Sequence, residues 1–213
     1  MTAPLRADAE RNRQRLLAAA KELFASRGLD VTLDDIARHA GVGTGTAYRR
    51  FPNKDALIEA LMVQRIQEIA AIAGECLQEP DPWRGFAGFF ERALALMASD
   101  RGLAEVLFSP GRGNERTAHA RQAIGPVVTK LVRRAVVAGV VRPDLATTDV
   151  PLLNFMLKTV VDISRDVEPE LYRRYLAIIL DGLKAREGAE PLPVDALAMR
   201  EFQHVMAAWP GKT

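Results

Sequence analysis

The chain has 213 residues, 48% hydrophobic and 26% charged, with 29 Lys+Arg against 27 Asp+Glu and a single cysteine. This is the composition of a folded globular protein, and one cysteine excludes an intramolecular disulfide framework and a cysteine-built zinc or iron–sulfur site. His39, His119 and His204 lie far apart, so no metal and no cofactor are expected. The charge is uneven: residues 1–54 carry ten bases and six acids, a local excess of +4, and the remainder is at −2. A basic first quarter on a mildly acidic body suits a reader of nucleic acid.

No run of about 18 apolar residues spans a bilayer. The richest stretch, 127–141, is broken by Lys130, Arg133 and Arg134, and the N-terminus has no apolar signal region. A cytoplasmic protein without membrane contact is the expectation.

In chain order, Leu16, Ala20, Leu23 and Phe24 make a first helical stripe that ends at Gly28. Arg6, Arg11, Arg13 and Arg15 precede it, as a solvated helix start or a DNA arm. Thr32 stands three residues before Asp35, a capping-box spacing for a short helix whose apolar side is Ile36, Ala37 and Ala40 and which Gly41 stops. A third helix fits 44–51 and is closed by Pro52. Asn53 caps a long fourth helix, with a stripe from Leu57 to Leu77 that includes Cys76, read as a small buried hydrophobe. His39 reads as simply exposed.

After Pro80 and Pro82, Phe86, Phe89, Phe90, Ala93, Leu94 and Met97 predict a fifth helix. Residues 103–108 form a short apolar piece and 109–114 a loop. The 3.6-like spacing over 124–140 predicts a helix rather than a strand, followed by a helix pair at 152–164 and 171–184 and a last amphipathic segment at 194–209. No period-2 alternation occurs, so the fold class is all-α: a three-helix domain over 1–54 and a larger helical domain over 55–213.

Residues 32–54, TLDDIARHAGVGTGTAYRRFPNK, form a helix-turn-helix, whose second helix enters the DNA major groove. Val42 fills the turn, while Ala47 and Phe51 face inward. Thr44 and Thr46 can meet base edges; Tyr48, Arg50 and Lys54 can hold phosphates. Gly41-x-Gly43-x-Gly45 is not a nucleotide loop, because a helix precedes it and Pro52 soon follows.

The set Thr32, Ile36, Ala37, Ala40, Gly41, Val42, Gly45, Thr46, Tyr48, Phe51, Lys54 and Leu57 resembles the pattern of the TetR family of bacterial transcriptional regulators. The resemblance covers about residues 10–60 and implies a homodimer on an inverted-repeat operator in double-stranded DNA, released by a small-molecule inducer. Thr32, Thr44, Gly45, Thr46, Tyr48, Arg49, Arg50 and Lys54 are the residues expected at DNA. Gly43 stands where the family commonly has the serine cap of the reading helix, a weaker cap.

In the body, Met62, Ile66, Phe90, Met97, Phe108 and Met156 are the candidate ligand residues. Asn154, Lys158, Asp162 and Arg165 make one polar stripe on a helix otherwise apolar over most of its circumference. Such a helix must meet more than its own core. Phe155, Thr159 and Ile163, with Tyr172, Tyr175, Leu176, Ile179 and Leu183 of the next helix, are the candidate dimer interface. No catalytic constellation is present in the sequence, so a non-enzyme is expected. The rival readings are a helical enzyme or small-molecule carrier with the helix-turn-helix as scaffold, and a regulator acting through a protein partner.

Overall fold

The computed structural model describes residues 3–99 and 115–208. Its helices are α1 (Ala3–Arg27), α2 (Leu33–His39), α3 (Thr44–Arg50), α4 (Lys54–Gln78), α5 (Pro82–Ala98), α6 (Glu115–Val137), α7 (Asp149–Ser164), α8 (Leu171–Leu183) and α9 (Met199–Ala208). A 3₁₀ turn, Gly28–Asp30, follows α1. The expected apolar piece 103–108 and loop 109–114, and with them Phe108, lie outside the described residues.

Local chemistry sets the helix ends. Thr32 and Asp35 close a capping box, the Asp35 N–H donating to Thr32 Oγ1 at 3.2 Å and the Thr32 N–H to Asp35 Oδ2 at 3.2 Å. Gly41 ends α2 at φ +59°, where a side chain is strained; the Gly41 N–H reaches the Arg38 carbonyl and the Val42 N–H the Ala37 carbonyl. This is a Schellman stop. Asn53 Oδ1 accepts the Ala56 N–H at 2.8 Å and starts α4. Asp81 accepts the Trp83 and Arg84 N–H groups and starts α5, with Pro82 in the first turn, where its missing N–H costs nothing.

Two cores form. The first gathers Leu16, Leu17, Ala20, Leu23 and Phe24 of α1 with Ile36, Ala37, Val42, Ala47 and Phe51, and runs into α4 through Leu57, Ile58, Leu61 and Met62. The second joins Ala73 and Cys76 of α4 to Phe86, Phe90 and Leu94 of α5, Leu131 and Ala135 of α6, Leu157 and Val161 of α7 and Tyr172 and Leu176 of α8. Each fully buried aromatic or leucine contributes about 1.5–3 kcal/mol of transfer free energy. The expected boundary at 54/55 thus cuts through the first core, because two turns of α4 complete it.

α6 starts before the sequence expectation and carries Pro126 in its interior. It lies along α4, the most extensive helix–helix contact among the described residues. Arg134 of α6 donates to the carbonyls of Leu77 at 2.8 Å and Pro80 at 2.7 Å, satisfying the end of α4. After α8 the chain returns across the end of α6: Val141 and Lys184 form one antiparallel bridge, and Thr148 Oγ1 donates to the Leu197 carbonyl.

Candidate nucleic-acid interface

Helices α2 and α3 pack on α1 through Ile36, Ala37 and Ala47, all fully buried. With Ala47 inward, the other face of the seven-residue α3 is left to solvent: Thr44, Gly45, Tyr48, Arg49 and Arg50 are exposed and Thr46 half-exposed. Gly43 caps α3 without a side chain, and its carbonyl accepts the N–H groups of Thr46 and Ala47 at 2.8 and 3.0 Å.

The exposed polar groups are ordered unequally. Arg49 Nε donates to the Gly45 carbonyl and Nη2 to Thr46 Oγ1, both at 3.1 Å, so Arg49 braces Thr46 in place. Lys54 Nζ donates to the Leu29 carbonyl at 2.7 Å, which ties the start of α4 to the 3₁₀ turn. Arg15 Nη2 donates to the Gly41 carbonyl at 3.3 Å and holds the turn from α1. Thr32 is engaged in the α2 cap, where its hydroxyl also donates to Asp35 at 2.6 Å. Hydrogen bonding to Thr32 holds the Asp35 carboxyl below its ordinary value.

Tyr48 stands 46% exposed, and the Asp34 carboxylate pushes its pKa up, first by charge repulsion and further by a hydrogen bond to the neutral phenol. The influence of Asp34 is not legible from spacing, because it crosses from α2 to α3. The basic N-terminus is part of α1 rather than a separate arm: Arg11 pairs with Asp8 and Arg13 with Glu10. His39 is exposed but meets Glu22 at 2.7 Å.

Between the two cores, α4 carries a polar layer that the sequence reading passed over. Glu68 accepts from three donors: Lys21 Nζ of α1 at 3.3 Å, Gln64 Nε2 at 3.2 Å and Arg65 Nη1 at 2.8 Å. Arg65 is 4% exposed. The signal was present in the sequence, since Arg65 interrupts the apolar stripe four residues after Leu61.

Several body residues stand elsewhere than expected. Met62 is sealed in the first core, on the reading-domain side of the polar layer, and Ile66 is buried at that layer. Phe90 and Met97 are in the second core. Met156 is 59% exposed on the outer face of α7, so it cannot line an interior site. Tyr172, Leu176 and Leu183 are buried in their own protomer and Ile179 is partly so, which removes them from a surface available to a partner. Thr159, Ile163 and Tyr175 are exposed and Phe155 is half-buried. The reason is a rotation of α7: its polar Asn154 and Lys158 point inward, which places apolar side chains outside.

Residues 16–61 match the tetR family of bacterial regulatory proteins, and residues 81–185 the C-terminal domain of SbtR-like transcriptional regulators. The crystal structure of the TetR transcription regulatory protein from Mycobacterium vanbaalenii is 34% identical, with a TM-score of 0.63 over 85% of this chain and 99% of that one. The chain belongs to the TetR family. It is thereby a helix-turn-helix transcriptional regulator. UidR from Escherichia coli K12 is 25% identical over 193 residues, 86% of this chain and 95% of its own. SrpR from Pseudomonas putida is 45% identical over 60 residues, 28% of each chain. Two further curated regulators of this type are also spanned over less than half of their own length, 42% and 45%. Among the described residues no helix is long and apolar enough to cross a membrane, and no group of metal-ligating side chains comes together.

Proposed function

We propose that the chain is a homodimeric repressor whose two α3 helices occupy successive major grooves of an inverted-repeat operator, and that a small-molecule inducer releases it. The observation that carries the reading is the α3 surface, where Ala47 is buried and every other side of the helix presents small, hydroxyl or basic groups. Thr44, Gly45 and the braced Thr46 are the base readers in this proposal. Tyr48, Arg50 and Lys54 hold phosphates, Arg49 braces Thr46 on the same exposed face, and Thr32 caps α2.

The dimer surface is the outward face of α7 and α8. Met156, Thr159 and Ile163 line it on α7, followed by Val167, with Tyr175 and Ile178 on α8; Ile163 is 75% exposed. An apolar surface of this kind is uncommon on a monomer. α4 then couples the parts, since it completes the first core, crosses the polar layer at Glu68 and contributes Ala73 and Cys76 to the second. An inducer that favours a different α4 tilt lowers operator affinity by its differential binding energy. The half-sites need the reading helices about 34–36 Å apart.

Fluorescence anisotropy with DNA from upstream of the protein's own gene tests this. The expected result is salt-sensitive, sequence-specific binding, weakened across all sequences by Tyr48→Phe or Lys54→Met and re-ranked among sequences by Thr44→Ala. Identical behaviour of the two classes of variant overturns the division of labour. Absence of specific binding overturns the regulator reading for this operator arrangement.

A further inference from the structure

Past α8 the chain runs on to α9, beyond the stretch 81–185 that matches the regulator C-terminal domain. The lead into α9 is pinned. Arg142 Nη2 donates to the Glu190 carbonyl at 3.2 Å, the Leu192 N–H to Asp144 Oδ2 at 2.8 Å, and Thr148 Oγ1 to the Leu197 carbonyl at 2.9 Å. α9 then starts with its own cap, the Ala198 N–H donating to Glu201 Oε2 at 2.8 Å. Met199, Phe202 and Val205 recur at helical spacing and make one apolar face. Among the described residues no helix is packed along that face, and no side chain of α9 belongs to either core. Met199 is 53% exposed and Val205 40%, and Leu192 and Val194 of the lead-in are exposed too. These four and the outward face of α7 and α8 hold nearly all the large hydrophobic side chains left exposed among the described residues. A ten-residue helix is marginal in water by itself, so α9 needs a surface to lie on.

We infer that α9 is an arm that clasps a second copy of this chain, its apolar face seated at the far end of the partner's α7, on the partner's Ile163 and the partner's Val167. The inference rests on the reading of the outward α7–α8 face as the dimer surface. Only Ala198 separates the Thr148 anchor from α9, and Thr148 stands directly before α7. α9 therefore begins at the N-terminal end of its own α7. Ile163 of the same chain is 15 residues further along, about 22 Å, whereas α9 is only about 15 Å long. The pinned arm cannot reach it. In a two-fold contact that sets two α7 helices antiparallel, the start of one lies beside the end of the other. That end carries the most exposed apolar side chains of the face, Ile163 at 75% and Val167 at 88%. Interface size points the same way. One helix face presents about three residues in seven, so α7 and α8, 16 and 13 residues long, bring about 12 to the contact. A stable dimer takes about 20–30 from each side. The α9 face, with Leu192 and Val194, fills most of that gap.

The test uses the full chain and disulfide trapping between copies. M199C and V167C are made as separate proteins, one of them tagged, with the buried Cys76 left in place. They are mixed, allowed to exchange subunits, oxidised and run without reductant. A covalent dimer of tagged with untagged chain is expected, about fivefold or more above the yield from R200C with V167C, because Arg200 lies about a quarter turn round α9 from Met199. A yield no higher than that control overturns the inference. So does a chain carrying both M199C and V167C that links only within itself. Sedimentation then separates the arm from the surface beneath it. M199E/V205E alters two exposed side chains, so the protomer keeps its cores. It is expected to raise the dimer dissociation constant about tenfold or more with unchanged helical circular dichroism, while I163E abolishes the dimer. An unchanged dissociation constant in M199E/V205E beside a monomeric I163E overturns the arm and supports the α7–α8 surface. A dimer that survives I163E overturns that surface and the seat of α9 with it.

Discussion

Lys21 of α1 and Glu68 of α4 meet at 3.3 Å in the polar layer between the two cores. Glu68 also accepts from Gln64 and the buried Arg65 of its own helix, so the Lys21 contact is the link by which this layer joins α4 to α1. Glu68→Gln keeps the volume and removes the charge. We expect a stability loss of about 1–2 kcal/mol, moderated because Glu68 is about one-third exposed. Operator affinity should fall with the bases contacted unchanged. A variant with unaltered stability and affinity in melts and anisotropy would show that this link does not position α4 on α1.

Gly85 brings α5 against the end of α4: a Cβ there would lie 2.5 Å from the backbone oxygen of Cys76. Backbone cannot yield as a side-chain tip does, so Gly85→Ala must separate the helices and overpack the second core. The expected cost is about 1–3 kcal/mol, read as a lower urea midpoint. Gly88→Ala is the control, since its Cβ would meet only Cys76 Sγ at 3.9 Å, an ordinary contact.

Asp34 places a negative charge beside Tyr48, a phosphate contact in the proposed function. Asp34→Asn should lower the Tyr48 pKa toward its ordinary value, measured by ultraviolet titration. It should also tighten operator binding about threefold at low salt, with the gain shrinking as salt rises. Unchanged affinity at low salt would place Tyr48 away from the phosphates.

Asp144 anchors the segment after α8. Its carboxylate accepts from Arg142 Nη2 at 2.8 Å and from the Leu192 N–H at 2.8 Å. These bonds, Arg142 first, hold its pKa well below the usual carboxylate range. A depressed pKa means the attachment is fully present above the unfolded value of about 3.9 and is lost only as pH falls toward the folded value. Protection of the Leu192 amide, measured against its intrinsic exchange rate at each pH, should therefore persist below about pH 4 and fall only in stronger acid. Asp144→Asn should show fast exchange already at neutral pH.

Ile163 is 75% exposed on the outer face of α7. Ile163→Glu should leave the helical circular dichroism unchanged and convert a dimer to a monomer in sedimentation. Operator binding should fall with it, because two half-sites need two reading helices held together. A variant that stays dimeric would move the interface elsewhere.

The reading domain was legible because its signals are local. Thr32, Gly41, Pro52 and Asn53 fix helix ends within a few residues of themselves, and Ile36, Ala37 and Ala47 fall on the inward face by periodicity alone. Met62 misled because the α4 stripe runs on without a break into the second core, and only the change of neighbours along α4 assigns it to the first. The Lys21–Glu68 contact spans 47 residues and has no local signature.

By itself the sequence determined an all-helical chain with a helix-turn-helix near its start, because helical period, caps and glycine stops are short-range effects. The tertiary structure decided the rotation of α7. That helix is apolar over most of its circumference, so its own pattern does not orient it. Packing against α5 and α8 turned Asn154 and Lys158 inward and left Met156 and Ile163 outside.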